Sequence, residues 1–156
     1  MRLTYPTALV LQALLDGHHH GFDIMETTGL PSGTVVGHVH LHVGDLAAAS
    51  VFYSEGLGFD RTVWEYPGAL FLAARHYHHH LGTNIWAGPA ARPPSEQDAQ
   101  LLEWTIDLPD QTALEAAARG VEHAGAQVEW QDSGGARSFV TQDPWRTGVR
   151  LRSLAG

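Results

Sequence analysis

From His38 to Val43 the chain alternates at every step between imidazole and aliphatic side chains: His38, His40 and His42 against Val39, Leu41 and Val43. Side chains on a strand switch faces at each residue, so a period of two predicts a half-buried strand over Val36–Val43. Its aliphatic row packs on a helix, and its histidine row faces something else. Imidazole is a common ligand for Zn, Cu, Fe and Ni. A second cluster follows at Arg75-His76-Tyr77-His78-His79-His80. Whether the two clusters meet is the functional question the sequence poses.

The bulk properties narrow the classes. At 156 residues the chain suits one domain, or one domain with an appendage. A net charge of −8 with nine Lys and Arg lacks the clustered positive charge a nucleic-acid surface needs, so no nucleic-acid partner is expected. There are no cysteines, which excludes disulfides and a thiolate metal site and fits a cytoplasmic protein. No apolar run reaches the roughly 18 residues of a membrane span, so no membrane partner is expected. The N-terminus does not read as a signal peptide: Thr4, Tyr5 and Pro6 interrupt it, and Ala8–Leu15 lacks a small-residue cleavage site.

Residues 1–34 differ from the rest. Pro6 suits a helix start, the run from Ala8 to Leu15 is strongly helical, and Gly17 ends it. A second short helix is expected between His18 and Thr28, closed by Gly29 and the turn Leu30-Pro31-Ser32-Gly33-Thr34. The stretches Leu3–Leu14, Gly21–Met25 and Thr28–Val35 resemble the start of a PadR-type winged-helix regulator. The resemblance stops where that family's recognition helix begins, and this helix is the element that reads DNA in such modules. The segment is therefore expected to be a helical appendage packed on the main domain or on a partner subunit. His18–His20 resemble a tag fragment.

From Val35 onward the pattern is β-α-β-β-β. Strands are expected at Val36–Val43, Phe59–Tyr66, Ala69–Ala74 and Leu81–Ala87. Asp45 caps a helix running to about Leu57. A Pro- and Ala-rich connector spans Pro89–Gln100. The pattern then repeats: a strand at Leu101–Leu108, a helix from Asp110 to about Ala124 ended by Gly125, and strands at Ala126–Trp130, Ser138–Gln142 and Val149–Leu154. The two units, 35–88 and 101–156, form an internal structural repeat.

The run Gly37–Leu46, with Phe52-Tyr53 and Leu57-Gly58-Phe59, resembles the vicinal oxygen chelate superfamily, which includes glyoxalase I, the bleomycin and fosfomycin resistance proteins and the extradiol dioxygenases. Ala69-Leu70-Phe71, Tyr77–Gly88 and Asp143-Pro144-Trp145 are similar to its catechol 2,3-dioxygenase-like branch. The resemblance covers residues 35–156. It implies an α+β fold in which two tandem βαβββ modules form one open cupped mixed sheet around a divalent metal. It also places His38 at the first-strand ligand position and Glu103 at the equivalent position of module two. Where the family usually has a fourth-strand Glu, this chain has Arg150, which cannot ligate a metal.

A histidine from His78–His80 can take the missing place. On strand parity His78 and His80 share a face and His79 points away. His38, His80 and Glu103 then rebuild two histidines and one carboxylate, a set suited to Fe(II), with Mn(II) and Zn(II) as alternatives. In ring-cleaving relatives a histidine near this spot acts as acid–base rather than ligand, so the resemblance implies that His78 and His80 divide those roles; the family's acid–base tyrosine has no match, and Phe139 lies where one would be sought. Arg150 and Arg152 are open to two readings, an anion-binding part of the pocket or ion-pair partners, Glu103 among them. His42 and His76 are expected to be solvated or hydrogen-bonded.

The resemblance implies a metal-dependent dioxygenase, an oxidoreductase acting on a small catechol-like or other vicinal-oxygen substrate. Two alternatives stay open: a metal-free resistance-type binding protein, and a glyoxalase- or epimerase-like proton-transfer enzyme. A homodimer is expected, because an open cup leaves edges and an apolar mouth to cover.

Overall fold

The computed structural model describes residues 37–88, residues 92, 93, 95, 97 and 100 of the connector, and 101–154 apart from 134 and 135. The appendage over residues 1–34, with His18–His20, lies outside the described residues, as does most of the connector.

Module one runs β1 (Val39–His42), α1 (Leu46–Ser50, continuing as a wider π turn over Val51–Gly56), β2 (Asp60–Val63), β3 (Ala69–Ala73) and β4 (Leu81–Asn84). Module two repeats it as β5 (Glu103–Leu108), α2 (Gln111–His123), β6 (Glu129–Ser133), β7 (Ala136–Gln142) and β8 (Gly148–Ser153). Both expected helix caps form. Asp45 Oδ1 accepts from the Ala48 amide at 2.7 Å, and Asp110 Oδ1 from the Ala113 amide at 2.8 Å. These bonds satisfy amide groups that the first helical turn leaves without partners.

The two modules have one topology. Their sheets are ordered β1-β4-β3-β2 and β5-β8-β7-β6, with the first pair parallel and the others antiparallel. This is the α+β architecture of paired βαβββ modules. The eight strands form two four-stranded ladders, where a single sheet was expected. Several strands are shorter than the alternation suggested: β1 keeps four residues and β4 stops at Asn84. β6 sits three residues later than read, at Glu129–Ser133, because Gly125 (φ +83°) ends α2 and Ala126–Val128 packs on the core as extended chain.

One core unites the modules. Leu41, Val43, Phe52, Tyr53, Leu70, Leu72 and Leu81 from module one pack with Leu114, Val121, Phe139, Val149 and Leu151 from module two. Two contacts fix the modules to each other. The buried Tyr53 hydroxyl donates to Asp143 Oδ2 at 2.7 Å, and the other Asp143 oxygen accepts the amides of Trp145 and Thr147. Burial and the neighbouring Asp143 carboxylate push the Tyr53 phenol far above its ordinary range, so it stays a donor. The π turn and α2 also touch backbone to backbone at Gly56 and Gly120.

Candidate functional site

The histidine row of β1 lies on the sheet face opposite the buried Leu41 and Val43. Register pairs His40 with Gly82 and His42 with Asn84 on β4, and Gly82 with Phe71 on β3. A Cβ at Gly82 would lie 2.7 Å from His40 Nδ1, so only glycine leaves room for this imidazole against the sheet. His42 Nδ1 donates to Asn84 Oδ1 at 2.9 Å, and the same oxygen accepts the Trp86 amide.

The second histidine cluster arrives on a turn. β3 ends at Ala73 and β4 starts at Leu81, and Arg75 adopts a left-handed conformation (φ 61°) that few non-glycine residues take. The chain reverses there and lays residues 76–80 beside the start of β1. The two clusters meet. The His79 ring centroid lies 4.6 Å from that of His38 and 4.4 Å from that of His78. One ring nitrogen from each of His38, His78 and His79 lies within 4.8 Å of the other two.

Three imidazoles can hold a divalent cation. In a tetrahedral site with metal–nitrogen bonds of about 2.0–2.1 Å, the nitrogens sit roughly 3.4 Å apart. To ligate one ion the nitrogens would draw together from separations of up to 4.8 Å. Burial and the surrounding histidines, His78 first among them, lower the pKa of His79 below its ordinary value. The shift favours the neutral imidazole, the state a ligand requires. Three histidine ligands leave further coordination positions open, the mark of a catalytic rather than a structural metal site.

The set the structure gathers differs from the expected His38, His80 and Glu103. His38 is common to both. His79 joins the cluster, because strand parity does not extend into the turn that carries it. His80 lies next in the chain, and its Nδ1 accepts the Ala74 amide at 3.2 Å. Glu103 is bound edge-on by Arg150, at 2.7 Å from Nε to Oε1 and 3.1 Å from Nη2 to Oε2, while Arg150 Nη1 donates to Gln131 at 2.7 Å. Arg152 holds Asp107 in the same way. Of the two readings left open for these arginines, ion pairing is the one seen. His76 is exposed.

The sequence reading missed one further feature. Phe71 lies on the histidine face, since its neighbours Leu70 and Leu72 are buried on the other. It contacts His40, His79 and Tyr66 in edge-to-face fashion, and His40 in turn contacts Trp86. Strand parity alone could have placed Phe71 there; the positions of Tyr66 and Trp86 depend on the turns that carry them.

Fold and site together define the class: the chain belongs to the Glyoxalase/Bleomycin resistance protein/Dioxygenase superfamily, whose model matches residues 35–150. Among characterised proteins it is 45% identical over 119 residues to the catechol-2,3-dioxygenase of Bacillus subtilis. That match covers 75% of this chain and 40% of the Bacillus protein, so the chain spans less than half of this relative. Among solved structures, the fold is shared with a lactoylglutathione lyase from Agrobacterium tumefaciens (TM-score 0.59, 16% identity, 80% of this chain and 96% of the other). It is also shared with the fosfomycin resistance protein FosX from Mesorhizobium loti (TM-score 0.57, 13% identity, 80% and 93%). The family match begins at residue 35 and so does not reach the stretch likened to a PadR-type regulator. Among the described residues no helix is long and apolar enough to cross a membrane.

Proposed function

We propose that the chain is a divalent-metal-dependent, cytoplasmic dioxygenase that takes a small catechol-like substrate through two adjacent oxygens. The observation that carries this reading is the convergence of His38, His78 and His79 within 4.8 Å. The 45% identity to a catechol-2,3-dioxygenase supports the choice of reaction. His38, His78 and His79 would hold the ion, with Fe(II) the proposed metal and Mn(II) or Zn(II) able to occupy the same nitrogens. When bound, the metal would supply Lewis acidity toward two neighbouring substrate oxygens and, as Fe(II), a path by which the bound substrate passes its electrons to dioxygen.

The chain's own side chains supply the rest. His78 sits within the cluster, so the proton-handling role falls to His80. Its Nδ1 accepts the Ala74 amide, so in the neutral ring the proton sits on Nε2, which can donate. Arg150 pairs with both oxygens of Glu103, so that carboxylate is engaged in an ion pair rather than free to serve as a ligand. Oxygen uptake by Fe(II)-loaded protein with catechol tests the reading. The account expects uptake matched by appearance of a ring-opened, visible-absorbing product, with turnover sharply reduced in His80→Gln. A fully iron-loaded protein that consumes no oxygen with any catechol overturns it.

The Glu103–Arg150 pair, at the position where the family's second-module ligand is expected, favours one second reading: a resistance-type protein that binds a small molecule without turnover. We also propose a homodimer; sedimentation showing a monomer at micromolar concentration would remove that part.

A further inference from the structure

Beside the histidine cluster an aromatic face runs across module one. From His79 it passes to Phe71 (5.0 Å between ring centroids), from Phe71 to Tyr66 (5.3 Å) and to His40 (6.1 Å), and on to Trp86, 5.7 Å from His40 and 6.4 Å from Tyr66. Trp86 is 57% exposed and Tyr66 49% exposed, and the Trp86 indole packs on the turn before β3. It lies against Gly68 (φ +71°), where a Cβ would come within 3.2 Å of Nε1, and Nε1 donates to the Pro67 carbonyl at 3.4 Å. A large apolar ring left in water forgoes burial that a contacting ring would restore. Neither ring nitrogen of His40 has a hydrogen-bond partner among the described residues.

We propose that this face is a stacking platform for a planar aromatic ring, with Phe71 and Trp86 contacting the ring and His40 offering a hydrogen bond to a polar substituent. The inference deepens the proposed function, on which it rests: the ring is the body of the substrate whose adjacent oxygens reach the His38–His79 end of the face. Offset or edge-on ring pairs are favoured over aliphatic contacts of equal area, so the platform selects aromatic over saturated diols. Gly82 belongs to the device, because any larger residue there would lift His40 out of the row.

Calorimetric titration of the full chain separates this inference from the metal chemistry. Naphthol, a planar ring without adjacent oxygens, is titrated into EDTA-stripped protein; a naphthalene with two adjacent hydroxyls and a saturated cyclohexane diol are titrated with and without Zn(II). Naphthol binding to stripped protein, weakened about two- to tenfold by Trp86→Leu or Phe71→Leu and unchanged by Trp130→Leu on the other module, supports the platform. Saturated diol binding as well as naphthol, no naphthol binding, or equal binding by the Trp86→Leu protein overturns it. So does a Trp86-dependent self-association that excludes naphthol, which assigns the face to a second copy of the chain. If naphthol binds as expected but adjacent hydroxyls gain nothing from metal, the platform stands and the metal-dependent reading falls.

Discussion

Gly120 lies on α2 where the helix crosses the carbonyl of Gly56, and replacing it with alanine sets two known effects against each other. A Cβ there would overlap the Gly56 oxygen, with the Gly56 carbon 3.3 Å away and the Glu55 oxygen 3.7 Å away. In a helix interior alanine is better than glycine by about 1 kcal/mol. The obstacle is main chain, which cannot swing aside as a side-chain tip can. Relief requires the π turn and α2 to separate, and forcing extra volume into a packed contact costs roughly 1–3 kcal/mol. The steric effect wins, and Gly120→Ala is expected to destabilise by about 1 kcal/mol net. Urea unfolding measures this, with Ala116→Gly on the exposed side of the same helix giving the propensity term in reverse. If Gly120→Ala raises stability by about as much as Ala116→Gly lowers it, the modules do not touch at Gly56 and this packing account is wrong.

Tyr53→Phe keeps the ring in the core but removes the donor to Asp143 Oδ2, leaving a buried carboxylate oxygen without its partner. The expected loss is about 1.5–3 kcal/mol in urea unfolding, and a loss below half a kcal/mol contradicts the intermodule role given to this bond. Stability of the metal-free protein should fall as pH drops below about 6.5. His40 and His79 are shifted down in the folded state, so the unfolded chain takes up protons first. The decline ends once pH falls below the folded-state values. Chemical denaturation at a series of pH values in EDTA should show this slope, and it should flatten in the His40→Gln, His79→Gln protein; an identical slope in that variant removes the assignment.

The fold was legible because its signals are local. The alternation at His38–Val43, the Asp45 and Asp110 caps and the helix end at Gly125 each act within a few residues, and each formed where expected, the strand over four residues only. Pairing of Arg150 with Glu103 was foreseeable, since both lie on the polar faces of the parallel neighbours β5 and β8. The orientation of His78–His80 was not. Parity holds only on a strand, and the left-handed Arg75 puts all three in a turn where successive side chains obey no fixed period. The Tyr53–Asp143 bond joins residues 90 positions apart, and the Gly56–Gly120 approach depends on how two helical segments cross. Long-range relations of this kind leave no local trace in a single sequence.

The central claim is that His38, His78 and His79 form one metal site, and a metal titration tests it most directly. Protein carrying His18, His19 and His20 changed to alanine, so that the N-terminal run cannot compete, is stripped with EDTA and titrated with Co(II) or Zn(II). The account predicts one equivalent per chain in the parent, affinity reduced tenfold or more by His38→Ala, His78→Ala or His79→Ala, and no change with Glu103→Ala. Full affinity in His79→Ala together with loss in Glu103→Ala would contradict it and assign the metal to the carboxylate that Arg150 holds in this structure.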